Sequence, residues 1–235
     1  AMQLSHRGIV RIYNFSTYNS CYYIVMEMVH GQTLYDVIVD NGSLSVQTAC
    51  QVLLACAEAL EYAHKNNVVH NDIKPENIFV TDASEVKIID FGTAALKQQA
   101  KAEGEIVGTP EYMSPSQLRG GLPDPTNDVY ALGIVTYLML MGRFPFPSDI
   151  TKEMLLDGVR PVFAGLPDHL SRVLEYATAY SSADRYQSVT EFVNAVLSAC
   201  GIPEGYFDPN QPIEVTSGGS SPAESEASCD TAEAD

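Results

Sequence analysis

The 235-residue sequence contains no Trp, and its 13 Lys and Arg are outnumbered by 30 Asp and Glu, giving a formal charge of −17. A chain so poor in cations has no basic face with which to follow a phosphate backbone, so nucleic acid is not an expected partner. There is no run of about eighteen apolar residues, the length a membrane-crossing helix needs; the greasiest stretch, Ala131 to Met141, falls well short. No basic segment leads into an apolar one at the start, so nothing marks the chain for secretion and a cytoplasmic location is expected. The five cysteines (Cys21, Cys50, Cys56, Cys200, Cys229) are odd in number and have no C-x-x-C spacing. A disulfide framework or zinc site is therefore not expected, and reduced thiols are.

Cations vanish altogether after Arg185, while Glu204 to Asp235 carries eight acidic residues. Residues 201–235 are rich in Gly, Ser, Pro and Glu without apolar periodicity, a composition that cannot bury enough surface to offset chain entropy. They are read as a disordered acidic tail, and residues 1–200 as the folded domain.

Within that domain the pattern is mixed. Ile9 to Phe15 and Cys21 to Met28 read as strands joined by a polar turn at Asn19-Ser20. Leu34 to Val39 reads as a short helix. Ser45 then caps a long amphipathic helix whose Ala49, Val52, Leu53, Cys56, Leu60 and Ala63 recur at helical spacing. A strand pair follows, Ile78 to Val80 and Val86 to Ile89, turning at Asp82-Ala83-Ser84. Asp90 to Ser116 reads as one long functional loop. Asp128 to Met141 is apolar almost all round, as a buried helix is. Pro167 to Ala179 and Ser188 to Cys200 are further helices, the last opening on the capping-box pattern Ser188-Val-Thr-Glu191. Small sheets followed by helices make the fold class α+β.

Chemistry concentrates between His70 and Asp128. His70-Asn71-Asp72-Ile73-Lys74-Pro75-Glu76-Asn77 sets a carboxylate, an ammonium and an amide within one short segment, and Asp90-Phe91-Gly92 follows beyond the strand pair. A carboxylate near a nucleophile, two metal-capable oxygens and a Lys are what phosphoryl transfer uses, since that step is mostly positioning and charge neutralisation.

These segments resemble the eukaryotic-type protein kinases. His70 to Asn77 is similar to their catalytic loop, Asp90-Phe91-Gly92 to their metal-binding motif, and Gly108 to Pro115 to the segment that holds the peptide substrate. Asp128-Val129-Tyr130-Ala131-Leu132-Gly133 resembles the opening of their central helix, Asp184-Arg185-Tyr186 a late element, and Tyr23 to Leu34 the hinge. Met113-Ser-Pro and Arg185-Tyr-Gln-Ser-Val look bacterial. The likeness runs from about Leu4 to Leu197 and implies a kinase fold: a mostly helical C-lobe with a remnant of the N-lobe sheet. It implies ATP and Mg²⁺ as cofactors and a protein with an acceptor Ser or Thr as substrate. In that resemblance Asp72 receives or orients the hydroxyl proton, Lys74 neutralises the γ-phosphoryl group, and Thr109 hydrogen-bonds near both. Asn77 and Asp90 are the metal ligands. Met26 is the gatekeeper, Glu27 and Met28 meet the adenine edge, and Leu34 and Phe79 form the floor beneath the ring. His70 and Phe91 are expected to be packed structural residues. The remaining histidines (His6, His30, His64, His169) are expected at the surface or at helix ends, without paired partners.

The departures are specific. No G-x-G-x-x-G occurs, and no Lys precedes Lys65, so the phosphate-covering loop and the strand Lys of the family are missing from this chain. It is accordingly read as an N-terminally incomplete kinase whose isolated turnover is negligible; the alternative is a kinase-like binding module without catalysis. Asn71 stands where many kinases have Arg, leaving no guanidinium to pair an activation-loop phosphate. Ser116 stands where the family has a Glu that pairs with the residue matching Arg185, so Arg185 must find another acceptor or the peptide-binding segment must be looser.

Overall fold

The computed structural model describes residues 4–19, 21–91, 109–203, 205–207, 211–216 and 218. Gly92, Gly108, most of the expected long loop and residues 219–235 lie outside the described residues. Strands β1 (Ile12–Tyr18) and β2 (Cys21–Met26) form an antiparallel ribbon, with Ile12 opposite Met26, Tyr18 opposite Cys21 and a bulge between Ile12 and Asn14. A second antiparallel sheet has the order β3 (Gly31–Thr33), β4 (Ile78–Thr81), β5 (Val86–Ile88). The first strand begins three residues later than its apolar run suggests. Ile9 and Val10 belong to the other sheet instead: Ile9 bridges Ile88, Val10 N donates to Ile88 O at 3.0 Å, and both side chains are buried. The ribbon itself is open, with Tyr13, Phe15, Tyr18, Tyr22 and Tyr23 exposed.

The helices are α1 (Leu34–Asn41), α2 (Val46–Lys65), α3 (Pro115–Leu118), α4 (Pro125–Met141), α5 (Lys152–Leu156), α6 (Asp168–Ala177) and α7 (Val189–Ala199). Ser45 caps α2 by accepting from Thr48 N. Helix α4 is buried from Thr126 to Met139, as a helix apolar on every face must be, and α2, α6 and α7 pack around it. It starts three residues before the apolar run because Asp124 caps it and Pro125 supplies a preset φ at its first position. The expected box at α7 closes differently: Ser188 accepts from Glu191 N, but the Glu191 carboxylate accepts from Gln187 N, one residue further out.

At its far end α4 stops on Gly142, at φ 63°. A Cβ there would lie 1.8 Å from the carbonyl oxygen of Gly42, which follows α1. Two helix ends therefore meet backbone to backbone, and Leu44 N donates to Met139 O at 2.7 Å beside them.

The reading of 201–235 as a disordered tail fails for its first part. Ile213 is buried, its N–H donates to Ser84 O at 2.9 Å, and Thr48 Oγ1 donates to Glu214 O at 2.8 Å. Ser45 N donates to Thr216 O, and Gly218 N to Ser43 O. The stretch thus straps the N-terminus of α2. Buried Ile213, half-buried Ile202 and Phe207, and a set of backbone and hydroxyl bonds carry the docking, and none of these registers in a periodicity test.

Candidate active site

The short 3₁₀ turn Pro75–Asn77 and the segment before it fold back on themselves through Asn77, whose amide nitrogen donates to the Asp72 carbonyl at 2.8 Å and to its carboxylate Oδ2 at 3.3 Å. Asn77 N also donates to Lys74 O. From the other side, Lys74 Nζ donates to Thr109 Oγ1 at 3.2 Å. Asp72, Lys74, Asn77 and Thr109, distant in sequence at one end, are thereby brought together. Asp90 joins them through its neighbour, since Ile89 N donates to Asn77 O at 2.9 Å. Asp90 and Asn71 both hold a left-handed backbone, φ 68° and 62°, a conformation Asp and Asn tolerate better than other side-chain-bearing residues.

His70 is the spacer between the two segments. Its Nδ1 accepts from Asp72 N at 3.2 Å, which leaves the proton on Nε2, and Nε2 donates to Ile89 O at 2.7 Å. The ring is fully buried and meets Phe91 edge-on at 4.6 Å. One neutral imidazole therefore sets the separation of Asp72 and Asp90.

Asp128, at the head of α4, holds the loop from beneath. Its carboxylate accepts from His70 N (3.0 Å), Asn71 N (2.7 Å) and His64 Nε2 (2.8 Å), and it is fully buried. His64, expected at a helix end without a partner, is in fact a side chain with 8% exposure bonded to this carboxylate. His6 also has partners, stacking on Tyr62 and accepting from Gly8 N through Nδ1.

The peptide-segment side is built from amides. Asn127 Nδ2 donates to Asn71 Oδ1 at 3.0 Å, and Asn127 Oδ1 accepts from Ser114 Oγ (2.7 Å) and Ser116 Oγ (3.0 Å). Gln117 Nε2 donates to Asn71 O at 2.8 Å while its Oε1 accepts from Ser114 N at 3.0 Å. Asn71 and Ser116 are the two positions where the sequence departs from its resemblance, and here they meet in one network. Gln117 and Asn127 gave no signal in the sequence, where the Asn71 and Ser116 departures are read separately. Arg185 does find other acceptors: with 1% exposure, it donates to the carbonyls of Ala179 (2.7 Å), Thr126 and Tyr180 (both 3.2 Å) and lies over the Tyr130 ring. Burial pushes its pKa down.

The hinge residues are more scattered. Met26 and Met28 are exposed. Glu27 N donates to Arg11 O at 2.8 Å, and its carboxylate pairs with Lys87 and accepts from Arg11 N. The Lys87 hydrogen bond holds that carboxyl below its ordinary range. Phe79 lies half-buried in β4 between Thr33 and Lys87. Leu34, the first residue of α1, is fully buried.

Residues 1–200 match the protein kinase domain family. The chain belongs to that family. Similar proteins are named serine/threonine-protein kinases: PrkC of Bacillus subtilis, 33% identical over 208 residues, covering 85% of this chain and 32% of that protein; the probable kinase PknB of Bifidobacterium longum, 39% over 188 residues, 75% and 27%; and PknL of Mycobacterium tuberculosis, 32% over 214 residues, 86% and 54%. The bacterial look of the Met113 and Arg185 segments agrees with these sources. The chain spans between 27% and 54% of the length of these relatives. Among the described residues no helix is long and apolar enough to cross a membrane.

Proposed function

We propose ATP-dependent phosphoryl transfer to Ser or Thr hydroxyls of proteins in a cytoplasmic setting, with this lobe supplying the catalytic loop. The observation that carries it is the bonded set Asp72, Lys74, Asn77 and Thr109, linked to Asp90 through Ile89. In this reading the Asp72 carboxylate receives or orients the acceptor hydroxyl's proton, and Lys74, steadied by Thr109, offsets charge on the transferred group. Asn77 commits its nitrogen to Asp72, which leaves Oδ1 as its acceptor side; with the Asp90 carboxylate that is an oxygen pair suited to a hard cation. Mg²⁺ held by Asn77 and Asp90 would supply charge neutralisation across the phosphates. Met26, Glu27, Met28 and Phe79 would border the adenine.

The substrate class is a peptide carrying a basic residue beside the acceptor. Glu76 Oε2 and Glu111 Oε2 are buried without a hydrogen-bond partner among the described residues. Both lie close enough to Tyr112 to push its hydroxyl pKa up, after burial itself. Two carboxylates in that condition beside the catalytic loop favour a guanidinium. The test is incubation of the full-length protein with Mg-ATP and paired Ser peptides, one bearing Arg and one Glu near the acceptor. Phosphorylation of the Arg peptide, lost about a hundredfold or more in Asp72→Asn and abolished in Asp90→Ala, supports the reading. No transfer to any peptide or protein, with ATP binding intact, refutes it.

A further inference from the structure

Helices α2 and α7 pack against each other in opposite directions. The start of α7 meets the end of α2, where Thr190 N donates to Glu61 Oε1 at 3.1 Å. Further along α7, Asn194 and Leu197 line one cavity of about 490 Å³ together with Gln51 and Leu54 from the first half of α2. Both helices rise about 1.5 Å per residue. Ten residues along α7 from Thr190 and eleven back along α2 from Glu61, a difference of about one residue's rise, bring Cys200 to the level of Cys50. The two thiols face each other closely enough that each shifts the other's titration. Cys50 is buried at 1% exposure; Cys200, the residue that ends α7, is half-buried.

The pair is unsymmetrical. Donating to Cys200, together with burial, pushes the Cys50 thiol up, whereas accepting that hydrogen bond brings Cys200 down. The more accessible sulfur is thus also the one that ionises first, and the thiolate is the reactive form. The other described thiols lack this arrangement: Cys56 is fully buried and pushed up to about 12, and Cys21 is exposed.

We propose that Cys50 and Cys200 form an oxidation site in which a peroxide attacks at Cys200 and Cys50 resolves the product into a disulfide joining α2 to α7. The Cys200 thiolate takes one oxygen of the peroxide; the S–O bond forms, the O–O bond breaks, and hydroxide or alkoxide leaves. Cys200 is oxidised by two electrons to the sulfenic acid and the peroxide is reduced. Cys50 then gives up its proton and its sulfur attacks that of Cys200, displacing hydroxide, which the proton converts to water. The new bond pins the end of α7 where the C-terminal strap departs. Because the strap returns to α2 at Thr48 and Ser45, oxidation fixes it at both ends.

The test exposes the purified full chain to graded hydrogen peroxide, alkylates the remaining thiols and maps peptides without reductant. The expected result is a Cys50–Cys200 linked peptide, about 2 Da lighter than its dithiol form, at peroxide levels that leave Cys21 and Cys56 alkylated. Dithiothreitol reverses it, and the melting temperature of the oxidised chain rises by about 5–10 °C. Cys200→Ser abolishes the link, and Cys50→Ser traps a dimedone adduct on Cys200. The proposal is overturned if Cys200 is still alkylated once Cys21 is oxidised, or if Cys200 passes to the sulfinic acid in the wild-type chain without a linked peptide. The wild-type mapping decides the matter even where a buried Cys50→Ser fails to fold.

Discussion

Asn127 donates to the side-chain oxygen of Asn71 across 3.0 Å, tying the head of the central helix to the catalytic loop. The same Asn127 accepts from Ser114 and Ser116, so a single amide joins both walls of the candidate active site. It is 1% exposed, and its partner Ser114 is fully buried with no water to turn to, while Asn71 and Ser116 are half-buried.

Asn127→Ala should therefore lower unfolding stability by about 1–3 kcal/mol, the cost of leaving buried polar partners unsatisfied. Asn127→Asp should be at least as damaging, because an oxygen then faces the Asn71 oxygen. Urea denaturation decides it; an alanine variant within about 0.5 kcal/mol of wild type, the scatter of neutral surface changes, would show the network to be idle.

Arg185 is expected to be irreplaceable by Lys. The guanidinium spans the carbonyls of Ala179, Thr126 and Tyr180 at once, which one ammonium cannot do. Arg185→Ala should cost roughly 3 kcal/mol through orphaned carbonyls and lost packing on Tyr130, and Arg185→Lys should recover little of it. Full recovery by Lys in thermal denaturation would refute the fork geometry.

Acid should loosen the segment around His6. Burial holds its pKa below the ordinary value of 6.5, with Glu58 opposing and Arg7 assisting, and Nδ1 must stay unprotonated to accept from Gly8 N. The unfolded chain consequently binds the proton more readily. Stability is complete above about 6.5 and declines as pH falls through the lower folded value. His6→Phe keeps the ring on Tyr62 and should flatten the dependence between pH 7.5 and 5.5; an unchanged slope in urea midpoints would count against the assignment.

The C-terminal strap should matter to stability. Removing residues from 203 onward uncovers the start of α2 and deletes buried Ile213, whose replacement by Ala alone should cost about 2 kcal/mol. A truncated chain melting at the wild-type temperature would return the segment to the status of a tail.

Helices with a strong periodic or wholly apolar pattern, α2 and α4, were legible to within a few residues, because burial dictates their composition. The segment from Asp72 to Asn77 was singled out by its motif, and the structure brings its Asp72, Lys74 and Asn77 together. What escaped was governed by pairing over long sequence distances. Ile9 and Val10 looked like the start of a strand because their apolarity does not say which sheet they serve. His64 looked solitary because Asp128 lies 64 residues away. Asn127 and Gln117 carry no charge, and a neutral amide's value depends wholly on what it faces. Leu34 was placed under the adenine by analogy of position; it is fully buried at the start of α1, where Thr33 and Asp36 form a capping box.

Every side chain at the junction of Asn71, Ser114, Ser116, Gln117 and Asn127 is electrically neutral. Ionic strength acts on none of these five side chains directly, so the charged hold on this joint comes from beneath, through the buried Asp128 carboxylate and His64. In the proposed reaction, salt sensitivity of peptide phosphorylation would then report on charged groups such as Glu76 and Glu111, whose Oε2 atoms lack a hydrogen-bond partner among the described residues, and comparing neutral with cationic peptides across a salt series separates the frame from the bait.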